Sequence, residues 1–366
     1  MIQSRIIHLI TTIEYGGAEK QLLVLTKNQI KQGLEVEVFY LKGKPELKSS
    51  FEEAGIKVNS SLANKRFMHQ VLLFKKFIGK VQAPVHTHLP QAELVAALAC
   101  KKNRFIISRH NFEPFWPNKP RVISRALSRF VTSRAAGGIA ISSAIKNYLL
   151  EQQEVNNRFK VKVVYYGFDY QENNALSFSE LIHEELKSKT NFKIGTIGRI
   201  VPGKNYTTML KAVAQVVKSH PAAKFFIVGG GSAEHDLKNF CKVLGIENNV
   251  VWLGRTEHVR EFLVSLDLFI FASKGEGFGL VLLEAMQANV PILAANNSAI
   301  PEVLGTNYKG LFPTENYTFL ATKIMELISD PIKSESLVID YKKQIQLFDP
   351  KVMADKVLKI YTDAGF

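Results

Sequence analysis

No aspartate occurs before Asp169, and Cys100 and Cys241 are the only cysteines in 366 residues. The first absence, with few glutamates near strand-like ends, leaves the first half poorly supplied with carboxylates for acid/base chemistry on carbon. The two cysteines lie in apolar, helix-like contexts and read as free core thiols rather than a disulfide or a metal site. No segment approaches the roughly 18 uninterrupted apolar residues of a membrane-spanning helix. Met1-Ile2-Gln3-Ser4-Arg5-Ile6 runs straight into a strand-like stretch without a signal-peptide layout, so a cytoplasmic protein is expected. There is no Asp-x-Asp string to hold a divalent metal, no internal repeat and no low-complexity tract.

What is present is globular: 46% apolar residues and 22% charged ones, over a length that exceeds what one core usually supports. Two domains are expected. Charge divides them, since residues 1–167 hold 26 Lys+Arg against 11 Asp+Glu and the remainder 21 against 22. All of the +14 excess therefore belongs to the first half, which points to an anionic partner there.

The most informative stretch begins at Leu268-Phe269-Ile270-Phe271-Ala272, an apolar run too short for a helix and bounded by turn residues. It predicts a buried parallel strand. Gly275, Gly277 and Gly279 follow, then a helix over residues 280–288. Strand, glycine loop and helix N-terminus together make an anion site, because the first helical amides have no internal partner. Glu276 in the loop and Glu284 one turn into the helix flank it. Carboxylates repel phosphate, so these accept hydrogen bonds from hydroxyls on the same ligand. A diphosphate with hydroxyls at both ends is a nucleotide sugar.

Glu276-Gly277-Phe278-Gly279-Leu280-Val281-Leu282-Leu283-Glu284 resembles the paired-glutamate motif of the retaining glycosyltransferases of family 4. The resemblance implies an α/β protein of the GT-B fold, with two Rossmann-like domains facing each other across a cleft. It implies an N-terminal acceptor-binding domain over residues 1–168, a linker over 169–191 and a nucleotide-sugar domain over 192–349, with residues 350–366 packing back on the first. Donor contacts fall to Gly277, Phe278, Gly279, Leu280 and Val281, with Glu276 on the sugar hydroxyls and Glu284 on the ribose diol. The acceptor's proton would pass to the leaving phosphate, with retention of the anomeric configuration.

Other motifs fit the same frame. Phe192–Ile200 reads as a strand and residues 206–219 as a helix, with Arg199 and Lys204 bracketing the loop between them. Both can neutralise phosphate, Arg by a fork and Lys as a point charge, and in the family an Arg and a Lys at this spacing grip the diphosphate. Gly230 lies in a glycine loop placed where the family holds the nucleoside, and Arg255 near the expected position of the base. Asn296-Asn297-Ser298 stand where family members often carry glycines.

In the first half, residues 5–10, 18–32 and 36–40 read as strand, helix and strand, with Gly16 and Gly17 at the first turn. In the family such a loop approaches the donor diphosphate; a plain tight turn explains it equally. His86 and His88 have a spacing that could suggest metal, but no Cys, Asp or third His is near in sequence, and rim packing or acceptor contact is preferred. His110 follows the strand 105–108, and a histidine at the matching position in the family contacts the donor sugar near the reacting carbon. Residues 119–134 carry Lys119, Arg121, Arg125, Arg129 and Arg134 among Phe115, Trp116, Val122, Leu127, Phe130 and Val131. A solvated helix face or a basic, aromatic-edged surface resting on anionic lipid both fit this pattern.

The expected protein is thus a metal-independent enzyme without cofactor, catalysing through His110, Glu276, Arg199 and Lys204. It would move a sugar, UDP-linked, to a lipid-linked saccharide or glycolipid for surface polysaccharide or lipopolysaccharide, as a peripheral protein at the inner face of the cytoplasmic membrane. No nucleic acid is expected, since no binding motif accompanies the basic surface. A soluble acceptor, or a non-catalytic sugar-nucleotide binder, is the alternative.

Overall fold

The computed structural model describes residues 5–117, 119–156, 158–169, 184–187 and 191–366. The chain divides into two compact units, Met1–Asp169 with Leu347–Phe366, and Tyr170–Gln346. Of the expected linker over residues 169–191, residues 170–183 and 188–190 lie outside the described residues; Asp169, α7 (Glu184–Lys187) and Asn191 are described.

The first unit alternates β1 (Arg5–Ile10), α1 (Gly17–Lys31), β2 (Glu35–Tyr40), α2 (Lys48–Glu53), β3 (Lys57–Asn59), α3 (Phe67–Ile78), β4 (Val85–His88) and α4 (Pro90–Ala99). It continues with β5 (Phe105–Arg109), α5 (Arg121–Arg134), β6 (Gly137–Ala140), α6 (Ser143–Glu151) and β7 (Val161–Val163). The strands form one parallel sheet in the order β3-β2-β1-β4-β5-β6-β7. Its central strands are buried on both faces, so they read as continuous apolar runs rather than alternating ones. The order reverses between β1 and β4, where α/β folds open a ligand crevice at the strand C-termini. Register there sets His8 opposite His86, and Ile10 opposite His88.

The second unit repeats the plan with β8 (Lys193–Ile197), α8 (Tyr206–Ser219), β9 (Lys224–Val228), α9 (Glu234–Leu244), β10 (Val250–Gly254), α10 (Val259–Val264) and β11 (Leu268–Phe271). Then come α11 (Leu280–Gln287), β12 (Ile292–Ala295), α12 (Ile300–Leu304), β13 (Leu311–Phe312), α13 (Tyr317–Ser329) and α14 (Pro331–Ile345). The parallel sheet runs β10-β9-β8-β11-β12-β13, reversing between β8 and β11.

The last helix, α15 (Pro350–Asp363), belongs to the first unit. Asp349 caps it by accepting from the Lys351 amide at 2.6 Å. Met353, Val357 and Tyr361 are buried with Ile6, Leu25 and Ile106 in one apolar cluster. The helix is seated against the chain that follows β7. The ladder stops at Val163, and beyond it Phe168 N donates to Phe348 O at 2.7 Å. A Cβ on Gly167 would lie 2.6 Å from the Pro350 backbone, so the chain leaves the sheet to seat α15. Among the described residues no helix is long and apolar enough to cross a membrane. Both cysteines are free and buried, and burial pushes the Cys100 thiol up to about 12.

Candidate active site

In the second unit the loops after β8, β9, β10, β11 and β12 carry Arg199, Gly230, Arg255, Glu276 and Ser298 in turn. All leave C-terminal strand ends, so they gather at one edge of that sheet. Lys204 and Glu276 meet in a direct ion pair, both largely withdrawn from solvent, and the Lys204 ammonium lies 5.5 Å from the Phe271 ring centroid. The loops are tied by backbone. Lys274 N donates to Gly203 O at 2.9 Å, and Ser273 Oγ donates to the same carbonyl at 3.3 Å. Asn205, after Lys204, adopts a left-handed conformation (φ 55°), and its Oδ1 accepts from Thr208 Oγ1 at 3.0 Å.

Gly229 shows why this edge needs glycine. Its φ is +140°, and a Cβ would sit 1.9 Å from Gly198 O. The loops after β8 and β9 thus touch backbone to backbone, and Ile200 N donates to Gly230 O at 3.0 Å. The Arg255 Nε passes within 3.8 Å of where a Gly230 Cβ would be. Arg199 is exposed.

Glu276 is positioned by residues that the sequence marked only as a departure from family pattern. Its amide donates to Ser298 Oγ at 2.9 Å, and Ser298 Oγ donates to Asn297 Oδ1 at 2.8 Å. Asn297 Nδ2 donates to Ser273 O at 2.9 Å and to Thr314 Oγ1 at 2.8 Å. Ser298 holds φ 47°, the conformation a glycine there adopts without strain. Polar side chains therefore stand in for glycine flexibility. Gly279 caps α11, whose first-turn amides, those of Leu280 and Val281 included, have no carbonyl within the helix to bond. Glu284 is half-buried on α11. Phe278 is buried, so its side chain anchors the loop.

In the first unit Gly16 precedes α1 with an extended backbone, and a Cβ there would strike the Glu19 carboxylate at 2.3 Å. Thr12 Oγ1 donates to Glu19 Oε1 at 2.5 Å and holds that carboxylate against Gly16. Gly17 is the first residue of α1.

His110 follows β5 and is not alone. The third histidine absent from the local sequence arrives through the β1–β4 register: His8 contacts His88 at 3.0 Å, and His88 contacts His110 at 3.0 Å. The ligand-capable atoms of His8, His86 and His88 lie within 4.8 Å of one another. Each ring nitrogen of these three is already in a hydrogen bond, however. Burial drives the imidazoles toward neutrality, lowering His8 to about 4 and His110 to about 3, with His86 and His88 well below their usual value.

Beside them Arg109, itself buried, lies 3.0 Å from Glu93 Oε2, out of line for a hydrogen bond, and 3.2 Å from Glu154 Oε2. Its guanidinium stands 4.5 Å from the Phe115 ring centroid. Two carboxylates around one cation leave one charge in excess, and burial pushes Glu93 up to about 7. Sequence reading missed this triad because Glu154 lies 45 residues beyond Arg109 and no local pattern joins the three.

The triad corrects the expected basic surface. Phe115 is buried under Arg109 and Val131 is core. Arg125 donates to Gln152 O at 3.0 Å and Arg134 donates to Cys100 O at 3.0 Å, so neither points freely outward. Lys119, Arg121 and Arg129 are exposed, beside exposed Val122, Ile123 and Phe130.

Comparison with known proteins matches two family models end to end: Glycosyltransferase Family 4 over residues 15–172 and Glycosyl transferases group 1 over residues 177–344. The Anabaena protein HepE, solved in complex with UDP, superposes with a TM-score of 0.83 at 22% identity, covering 98% of this chain and 100% of that one. Among sequence relatives, the GDP-mannose-dependent monoacylated alpha-(1-6)-phosphatidylinositol monomannoside mannosyltransferase of Corynebacterium glutamicum is 29% identical over 171 residues, 42% of this chain and 44% of that protein. The N-acetyl-alpha-D-glucosaminyl L-malate synthase of Bacillus anthracis is 34% identical over 128 residues, 35% of this chain and 33% of that protein. The chain thus spans less than half the length of these two relatives. With two family models, two Rossmann-like parallel-sheet units and this structural likeness, the chain belongs to the glycosyltransferases of family 4, with the GT-B fold.

Proposed function

We propose that the chain is a retaining, metal-independent glycosyltransferase that moves a sugar from a UDP-sugar to a hydroxyl of a lipid-linked saccharide or glycolipid in surface-polysaccharide or lipopolysaccharide synthesis. The observation that carries this reading is the Lys204–Glu276 pair beside the glycine loop that opens α11. Cleaving the sugar–phosphate bond leaves negative charge on the diphosphate. Lys204, Arg199 and the first amides of α11 are the groups that would stabilise it, each worth on the order of 3 kcal/mol when preorganised. Glu276 would accept from the sugar hydroxyls and Glu284 from the ribose diol. The departing phosphate oxygen takes the acceptor's proton, so no separate strong base is needed. The UDP in HepE supports the choice of base, and the lipid named for the C. glutamicum relative supports the class of acceptor.

The lipid reading also draws on α5, where Arg121 and Arg129 flank exposed Val122, Ile123 and Phe130. Each Lys or Arg near an anionic leaflet contributes about 1 kcal/mol, and the apolar side chains add insertion. The B. anthracis relative, named for a malate product, favours a second reading with a soluble acceptor.

The test is incubation with a panel of UDP- and GDP-sugars plus lipid extract, with products read by mass spectrometry and anomeric configuration by NMR. A UDP-sugar yielding a glycolipid of retained configuration is expected. Turnover of no nucleotide sugar at all would end the reading. Flotation with liposomes of graded anionic content separates the two acceptor classes, since a soluble-acceptor enzyme stays with the protein fraction.

A further inference from the structure

A continuous chain of hydrogen bonds crosses the first unit from Tyr166 to Ser108. Tyr166 OH lies 2.6 Å from His110 Nδ1, and His110 Nε2 lies 3.0 Å from His88 Nδ1. His88 Nε2 then meets His8 Nδ1 at 3.0 Å, and His8 Nε2 meets Gln29 Oε1 at 2.8 Å. From Gln29 Nε2 the chain passes to Tyr361 OH at 3.4 Å, on to His86 Nδ1 at 2.7 Å, and from His86 Nε2 to Ser108 Oγ at 2.7 Å.

Proton bookkeeping gives this chain a single sense. A neutral imidazole has one N–H and one bare nitrogen, so it donates on one side only if it accepts on the other. Gln29 sets the direction: with its carbonyl oxygen toward His8 it can only accept, whereas the flipped amide would reverse every link as far as Tyr166. His8 must then carry its proton on Nε2 and accept at Nδ1. That makes His88 an Nε2 donor, which makes His110 an Nε2 donor, leaving His110 Nδ1 to accept from Tyr166. Every link has one proton and every ring is neutral. Reversing His8, His88 or His110 alone would leave two protons, or none, in a buried link, and an unsatisfied buried polar group is costly.

We propose that His88, His8 and Gln29 are positioning residues for His110, locking its imidazole in one orientation as the neutral Nε2–H tautomer. The proposal rests on the reading of His110 as a neighbour of the donor sugar, which its ring would meet by its carbon edge or face, since Nδ1 is on Tyr166 and Nε2 on His88. Glycosyl transfer develops positive charge on that sugar, and an imidazolium beside it would oppose the reaction, whereas a locked neutral ring does not. The same bookkeeping argues against a metal on His8, His86 and His88, since an ion would have to break several of these links at once.

The test pairs long-range nitrogen–proton NMR of the imidazoles with kinetics of UDP release from UDP-glucose, on the full chain. The parent protein should show His8, His88 and His110 as neutral Nε2–H tautomers. His88→Leu removes the acceptor that fixes His110, so the ring should lose its single orientation and shift toward the Nδ1–H tautomer, with kcat falling at least tenfold through the lost orientation and KM little changed. His88→Gln, whose amide can accept and donate in the same sense, should restore both. Gln29→Leu, three links from His110, should mix the tautomers without touching its neighbours, and it keeps the test open where the His88 variant does not fold. Opposite tautomers in the parent, a kcat unchanged in folded His88→Leu or Gln29→Leu, or a stoichiometric Zn²⁺ held through dialysis on these rings would each overturn the proposal. If the parent turns over no nucleotide sugar yet shows the expected tautomers, the donor reading fails and the lock itself stands.

Discussion

The two units share one architecture but bury different chemistry. The first encloses His8, His86, His88, Glu37, Glu93, Arg109 and Glu154. Among the described residues of the second, no Asp, Glu, Lys, Arg or His is buried; its buried polar groups are Thr196, Asn205, Thr208, Ser265 and Ser273. Parallel sheets present the same need at both crevices, loops held still at the strand C-termini. The first unit meets it with an interior network of ionisable side chains. The second meets it with backbone contacts, such as Gly229 against Gly198, and keeps its charges Lys204 and Glu276 at the rim. Buried charge in the first unit is therefore tied to stability, while the second unit's Lys204–Glu276 pair is left only partly covered.

Paired substitutions put the comparison at most risk. Arg109→Ala leaves Glu93 and Glu154 buried without their cation and should cost about 3–5 kcal/mol of stability, read by chemical denaturation. Lys204→Ala and Glu276→Ala should leave the fold intact yet lower turnover by roughly a hundredfold or more, read as UDP release. Near-normal turnover in either rim variant would remove the site assignment. An Arg109 variant as stable as the parent would show the triad to be ornamental.

Acid should part the units next. The folded pKa of His8 is about 4 against an ordinary 6.5, so the unfolded chain binds the proton first. Stability from its neutral form is complete above pH 6.5 and is lost as pH falls toward 4, on the order of 3 kcal/mol. His110, His86 and His88 act in the same direction. Glu93 opposes them: raised to about 7, it favours the folded state below its ordinary 4.5 and loses that contribution as pH rises to 7. The two effects offset between pH 4.5 and 6.5, and below 4.5 only the histidine penalty still grows. Hydrogen exchange should therefore show β1, β4 and β5 opening in acid before β8 and β11. The reverse order would mean that these imidazoles are not held neutral by burial.

The same contrast explains what could be read from the sequence. The second unit's loop was legible because its chemistry is local: Glu276 to Glu284 is one unbroken string, and Arg199 and Lys204 bracket one turn. Strand and helix positions were legible wherever both faces are buried, as at Leu268–Phe271. In the first unit the decisive groups meet only through sheet register. Nothing near His86 and His88 in the chain announces His8, which pairing of β1 with β4 delivers. Helical spacing correctly aligned Arg121, Arg125 and Arg129, but not the fact that Arg125 turns back to the Gln152 carbonyl. Asn297 and Ser298 looked like lost glycines, and only the positive φ of Ser298 and its bond to the Glu276 amide show what replaces them.

The smallest expected effect is none at all, and it probes both units at once. If catalysis needed a divalent ion, its charge would have to act at the diphosphate or its ligands would have to come from the histidine cluster. In the second unit Lys204 and Arg199 would already supply positive charge where the diphosphate is proposed to lie, and the sequence holds no Asp-x-Asp string. In the first, the nitrogens of His8, His86 and His88 are committed to one another and to Gln29, Tyr361, Ser108 and His110. Sugar transfer should accordingly continue unchanged in EDTA after dialysis, and added Mg²⁺ or Mn²⁺ should not raise it. Loss of activity in the chelator, restored by either ion, would mean that the charges at the rim of the second unit are insufficient alone. It would also return the histidines of the first to the list of ligands.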